Sequence, residues 1–143
     1  MLKDTTDIKV RFSEVDSMGI LWHGHYVKYF EDGRESFGKA YNFGYMDIYS
    51  GHAFVIPIVK IDCNYKKPIR YNDPVRLETT FVDSPAAKII FTYKLFNPDS
   101  GDVYATARTE QVFLSENHEL HLTMPEFFQK WKAKWGISSD NVI

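Results

Sequence analysis

The hydrophobic pattern of the chain changes period twice. Ile8, Val10 and Phe12 alternate with Lys9 and Arg11, the period-two signature of a half-buried strand. A polar loop rich in small residues follows, over 13–24. From His25 to Tyr41 the period lengthens. Tyr26, Tyr29, Phe30, Phe37, Ala40 and Tyr41 recur at spacings of three and four, and Lys28, Glu31, Asp32, Glu35 and Lys39 fall mostly on the other side. That pattern predicts an amphipathic helix. Gly33 and Gly38 cost such a helix about 1 kcal/mol each relative to Ala, so another element is expected to approach closely there. Asn42 and Gly44 are stop signals. The stretch 45–52 has no decided period.

From Phe54 the period returns to two. Val55, Pro57, Val59, Ile61, Cys63 and Tyr65 share one face of a strand. Val75, Leu77, Thr79 and Phe81 form a second set; Ile89, Phe91, Tyr93 and Leu95 form a third. Val103, Ala105, Ala107, Thr109, Gln111 and Phe113 form a fourth, less apolar one. Asn97-Pro98-Asp99-Ser100-Gly101-Asp102 reads as a hairpin turn, and Asn72-Asp73-Pro74 as another turn. Pro125 to Trp135 reads as a short amphipathic helix with Pro125 in its first turn. The order is strand, long helix, then at least four strands. Antiparallel strands must bury their apolar face, and the early helix is the only long element available to cover it. The expected class is therefore α+β, a curved antiparallel sheet wrapped around one long helix, in a single domain over 1–143. A free sheet edge favours pairing with a second copy.

Composition adds three constraints. The chain is 44% hydrophobic and 16% aromatic, which supplies large rigid surfaces for a core and for an interface between copies. Seventeen basic against 19 acidic side chains give a net charge of −2. With no long basic run, the bulk electrostatics of nucleic-acid binding are missing, although a small anionic ligand needs only a few local cations. The one cysteine, Cys63, excludes an intrachain disulfide and a cysteine-only metal site. Its place on an alternating apolar face makes it a core residue. There is no charged-then-apolar leader and no apolar run long enough to span a bilayer, so the expectation is a soluble cytoplasmic protein.

Chemistry concentrates between Arg11 and Tyr26. Glu14, Asp16, His23, His25, Gly19 and Gly24 lie between a strand and a helix start. A helix start offers backbone N–H groups and a positive dipole. Those donors can hold a carbonyl oxygen as it becomes an oxyanion, and a nearby carboxylate can activate water or attack directly. The ingredients suit acyl transfer. The residues alone leave Asp16 open between that role and a loop or capping role. Glu14 is open between partnering Asp16 and a solvated surface position. His23 and His25 have a His-x-His spacing, but no third ligand stands nearby.

Arg11, Glu14, Asp16, Gly19, His23 and Tyr26, then Tyr29-Phe30-Glu31 and Arg34, then Tyr65-Lys66-Lys67-Pro68 and Asp73-Pro74 form a set that resembles the hot-dog-fold acyl-CoA thioesterases. The likeness is to the 4-hydroxybenzoyl-CoA thioesterase-like family, including its Tol-Pal-associated bacterial branch, and runs to about Phe113. It implies hydrolysis of an acyl-CoA thioester, with Asp16 on the catalytic aspartate position and His23 on its partner position. The chain departs from the family at His25, where Asn or another small polar residue is common, and at Gly33, where Ala is usual.

The resemblance and the loop together imply a substrate site. The thioester oxygen would sit on backbone N–H near His23 or Gly24. Gly19, Ile20, Gly24, His25, Tyr26 and Lys66 would contact substrate. Lys66, Lys67, Arg70 and Lys88 are candidate partners for the CoA phosphates. The acyl pocket would lie between the helix and a neighbouring copy, lined by Ile20, Tyr26 and part of the Phe54–Ile58 segment. No metal or redox cofactor is called for, and the protein is expected to be a homodimer or homotetramer. Two rivals remain at this level: a hot-dog hydroxyacyl dehydratase, although the His-Phe-Pro-Gly-like segment typical of those enzymes is missing, and a non-catalytic acyl-CoA-binding or adaptor module.

Overall fold

The computed structural model describes residues 1–137. Five strands form one antiparallel sheet: β1 (Lys3–Ile8), β2 (Ile58–Tyr65), β3 (Val75–Val82), β4 (Lys88–Phe96) and β5 (Val103–Val112). Their order across the sheet is β1-β3-β4-β5-β2. The long helix α1 (Tyr26–Tyr41) lies on the sheet, α2 (Tyr45–His52) follows it, and α3 (Glu126–Lys134) closes one end. This is the sheet-around-helix arrangement the hydrophobic pattern predicts and the hot-dog fold the resemblance implies.

The three central strands alternate as expected. Leu77, Ile89, Leu95 and Thr109 are almost fully buried, and so are Phe30 and Phe37 on the facing side of α1. Asn97–Asp102 forms the predicted hairpin turn. The Asn97 side chain accepts from the N–H groups of Asp99 and Ser100, and Gly101 takes the left-handed φ of +81° the turn needs.

The first strand is displaced from its predicted place. The alternating stretch Ile8–Phe12 is not the strand; β1 is the more polar Lys3–Ile8. Its partner explains this. Ile8 pairs with Val75, the first residue of β3, so nothing remains beyond it for residues 9–12 to bond. Val10 still turns into the core, but Phe12 is 74% exposed and begins a 3₁₀ turn over Phe12–Glu14.

The aromatic excess is largely used inside the chain. Phe37 contacts Phe81, Phe91 and Trp131, and Phe43 stacks on Phe128 and Trp131. The indole N–H groups of Trp131 and Trp135 both donate to the Tyr41 carbonyl, at 2.9 and 3.1 Å. They thereby bond one of the terminal carbonyls of α1 that lack intrahelical partners. Lys132, 3% exposed, ties α3 to the β3–β4 turn through Asp83 and the Ser84 carbonyl.

Gly33 marks the expected close approach. A Cβ there would overlap Thr79 Oγ1 and lie 2.6 Å from Leu77 Cδ2. Thr79 Oγ1 is itself buried, with no hydrogen-bond partner among the described residues. Gly33→Ala gains about 1 kcal/mol of helix propensity but overpacks a contact of the kind that costs about 1–3 kcal/mol. The net expectation is a destabilisation of about 1 kcal/mol, read as a drop of a few degrees in Tm. A Tm at or above wild type would show that the helix can move outward freely.

Candidate active site

The site is built where the 13–24 loop meets α1 and the end of β2. Glu14 organises the entry. It is 6% exposed and accepts from the Arg11 N–H and the Tyr29 hydroxyl, both at 2.8 Å. Lys28 lies 3.3 Å away as its ion-pair partner. Burial pushes the Glu14 carboxyl up, but these donors and the Lys28 charge outweigh burial and hold it below its usual value. Glu14 is therefore neither a solvated surface residue nor an acid–base partner for Asp16. It pins the loop to α1.

A folded-state value below the unfolded one contributes stability above the unfolded pKa, and the contribution fades as pH falls through the folded value. Glu14→Gln is expected to cost about 1–3 kcal/mol at neutral pH. In urea titrations that cost shrinks below about pH 4, near the unfolded carboxylate range. A difference from wild type that is the same at both ends of the pH range would contradict the assigned role.

Asp16 shapes the next turn. Its Oδ1 accepts from the N–H groups of Met18 and Ile20, at 2.9 and 3.2 Å. Its backbone N–H bonds to the Ile20 carbonyl, and its own carbonyl accepts from Gly19. Gly19 has a φ of +76°, a left-handed value that glycine adopts without strain. The loop reading and the chemical reading of Asp16 are thus compatible. Oδ1 holds the turn, and Oδ2 is the oxygen left for chemistry on an exposed carboxylate.

A 3₁₀ turn over His23–His25 leads into α1. The Trp22 N–H bonds back to the Glu14 carbonyl, so the N–H groups of His23 and Gly24 are the first helix-start donors available to a ligand. Tyr65, the last residue of β2, donates its hydroxyl to the His23 carbonyl at 3.0 Å. That bond fixes the helix start against the strand end.

Asp16, Ile20, Trp22, His23, Tyr65 and Lys66 line one open pocket of about 330 Å³, with Tyr26 in its wall. Of the predicted contact residues, Ile20, Tyr26 and Lys66 line the pocket beside Asp16 and His23. Gly19 and Gly24 supply backbone geometry. Tyr26 is a wall rather than a rim residue: it is 3% exposed, sits edge-on to Tyr65 at 4.7 Å, and burial raises its hydroxyl to a pKa of about 12. His25 turns away to meet the Trp22 indole edge-on.

Trp22 is one lining residue that sequence reasoning missed. Its half-exposed indole lies over Gly24, where a Cβ would collide with the ring. In the sequence nothing separates it from its apolar neighbours Ile20 and Leu21. Of the proposed phosphate partners, Lys67 pairs with Asp102 at 3.0 Å. Lys88 starts β4 and pairs with Glu110. The site lies beyond the opposite end of that strand, since Tyr65 opposes Ala105 and Ala105 opposes Leu95. Within one chain Lys88 therefore stands apart from this pocket. Cys63, half-buried, has its thiol pushed up by burial, which suits a packing role. Among the described residues no group of three or more His, Cys, Asp or Glu is placed to hold a metal ion.

Residues 10–132 match the family model described as the thioesterase-like superfamily. The chain belongs to the thioesterase-like superfamily. One relative of this superfamily member is YneP of Bacillus subtilis (strain 168), provisionally named as an acyl-CoA thioesterase. The two are 28% identical over 129 residues, 90% of this chain and 92% of YneP. Another is the acyl-CoA thioester hydrolase YbgC of Escherichia coli O157:H7, 22% identical over 65% of this chain and 69% of that one. Among solved structures, the DHNA-CoA thioesterase of Staphylococcus aureus superposes with a TM-score of 0.82 at 24% identity, over 100% of this chain and 97% of that one. Slr0204 of Synechocystis, a 1,4-dihydroxy-2-naphthoyl-CoA thioesterase, gives 0.81 at 17%, over 94% and 98%. At these identities the structural matches speak to the fold. No helix among the described residues is long and apolar enough to cross a membrane.

Proposed function

We propose that this superfamily member hydrolyses acyl-CoA thioesters to the free acid and CoA. The observation that carries the reading is the meeting of Asp16 and His23 in one pocket at the start of α1. The names of the relatives support the reaction, and the position of His23, seven residues after Asp16, supports a place in the Tol-Pal-associated branch.

In this mechanism the thioester oxygen lies on the N–H groups of His23 and Gly24, where the helix dipole favours developing negative charge. Asp16 attacks the carbonyl carbon, the C–S bond breaks, and the thiolate leaves as CoA. Water then cleaves the mixed anhydride. In the alternative route Asp16 takes a proton from water, which attacks in its place. In either route His23 orients the thioester or gives a proton to the departing sulfur. This reading assigns Lys66, in the pocket lining beside Asp16, to a CoA phosphate.

The same reading calls for two copies. Val59 and Ile61 on the edge strand β2 are 55% and 38% exposed, and the outer edge of β2 is unpaired in the sheet. Antiparallel pairing of β2 with itself about Ile61 sets Lys60 of each copy opposite Asp62 of the other. It also carries Tyr65 of one site to Pro57 of the other copy. Along a single chain those residues are about 26 Å apart, so each site gains a wall that its own chain cannot provide.

Product analysis tests the reaction. Incubation with a panel of acyl-CoAs is expected to release free acid and CoA thiol in equal amounts. An enoyl product without thiol would replace this reading with a dehydratase.

A further inference from the structure

The two peptide groups proposed to hold the thioester oxygen differ in what loads their carbonyl ends. The His23 N–H belongs to the Trp22–His23 peptide, whose carbonyl accepts from the His25 N–H at 3.0 Å. That bond comes with the 3₁₀ turn itself. The Gly24 N–H belongs to the His23–Gly24 peptide, whose carbonyl accepts from the Tyr65 hydroxyl at 3.0 Å. This second load is a side chain brought in from another element, the end of β2.

Tyr65 is held in place from several sides. Its ring stands edge-on to Tyr26 at 4.7 Å, and Tyr26 is buried. At the strand end the N–H groups of Lys66 and Lys67 both donate to the Tyr104 carbonyl, at 2.8 and 3.0 Å. The backbone that carries the ring is thereby pinned to β5. Partial burial raises the Tyr65 hydroxyl above its usual value, so it keeps the proton it donates. The Trp22 indole fills the place of the missing Gly24 Cβ and covers one side of the same peptide with an apolar ring.

A clamp alone does not account for the bond. The turn is already tied without Tyr65, by the Trp22 N–H on the Glu14 carbonyl and the His25 N–H on the Trp22 carbonyl. What the hydroxyl adds is polarisation. The C–N bond of a peptide is partly double. A donor on the carbonyl oxygen therefore draws electrons from the nitrogen and makes the N–H a stronger donor. Linked hydrogen bonds strengthen one another in this way by about 10–30% per bond. The gain grows with the charge on the oxygen being bound. It is therefore larger in the transition state than in the bound substrate, and it appears in kcat rather than KM. We propose that Tyr65 is a positioning residue that acts through the His23–Gly24 peptide, orienting and polarising it so that the Gly24 N–H binds the developing oxyanion more strongly, an inference that rests on the thioesterase reading.

Tyr65→Phe keeps the ring and removes the hydroxyl. Losing a whole oxyanion donor costs about 10²–10³ in kcat, so weakening one by about 10–30% costs about 2–8-fold. That fall in kcat is expected on the acyl-CoA the wild type hydrolyses fastest, with KM and Tm at wild-type values. The second readout is infrared. In an Asp16→Asn background, which binds substrate but turns over slowly, the C=O stretch of an isotope-labelled thioester is expected to fall on binding. Adding Tyr65→Phe reduces that fall. Adding Tyr65→fluorotyrosine, a stronger donor on the same ring, increases it. A carbonyl stretch unchanged by both substitutions would overturn the inference and leave the thioesterase reading standing. So would a rise in KM with kcat unchanged. If Tyr65→Phe does not fold, the fluorotyrosine variant decides alone. No thiol release from any acyl-CoA by the wild type would overturn the thioesterase reading and, with it, this one.

Discussion

Asp16→Asn lowers kcat for acyl-CoA hydrolysis by about 10²–10⁴-fold, the range of a lost acid–base group, while Tm stays at the wild-type value. The two halves of this expectation come from the two oxygens of the side chain. Oδ1 accepts from Met18 and Ile20, and an asparagine carbonyl oxygen can keep both bonds. The change therefore removes the charge and the nucleophilic oxygen while leaving the turn in place. Asp16→Ala removes both, so it loses the same activity and also costs about 1 kcal/mol for the missing hydrogen bonds. A substantial residual rate in the Asn variant has one trivial source, deamidation back to Asp, and the Ala variant guards against it. If both variants turn over like wild type, Asp16 is only a loop residue.

Ile61→Lys separates the copies and removes most of the activity. Ile61 is 38% exposed, so a lysine there is tolerated by the isolated chain. In the proposed β2–β2 pairing the same lysine lies beside its symmetry mate, without a partner. An unpaired charge in such a place costs several kcal/mol, and two are introduced per interface. Sedimentation is expected to show monomers at concentrations where wild type is assembled. The rate should fall with them, since each site loses the wall supplied by the other chain. Full activity in a monomeric Ile61→Lys protein would show that one chain suffices.

The parts of this molecule that were legible in the sequence are those where one periodicity governs. β3, β4 and β5 are covered on one face by α1, so alternation dominates them, interrupted where Thr80, Ile90 and Tyr104 are also buried, and α1 reads as an amphipathic helix for the complementary reason. Gly33 announced the close contact with Thr79 and Leu77. β1 was misplaced because it is an edge strand of polar residues, held by its pairing with β3 rather than by burial of its own side chains. Its true end depends on where β3 begins, which no local pattern carries. Glu14 was ambiguous for a similar reason: its partner Tyr29 is 15 residues away. Asp16 and His23 stood out through the family resemblance rather than by type and spacing, but Trp22 entered the site only through the tertiary fold. Much of the wide aromatic usage is spent on docking α3 against α1 and the sheet.

The wild-type chain is expected to turn over, and thiol release in excess acyl-CoA reads this out. Steady release is expected to continue well beyond one equivalent per chain for at least one member of an acyl-CoA panel. Tight binding across the panel with no thiol released would contradict it and make the fold a binding module.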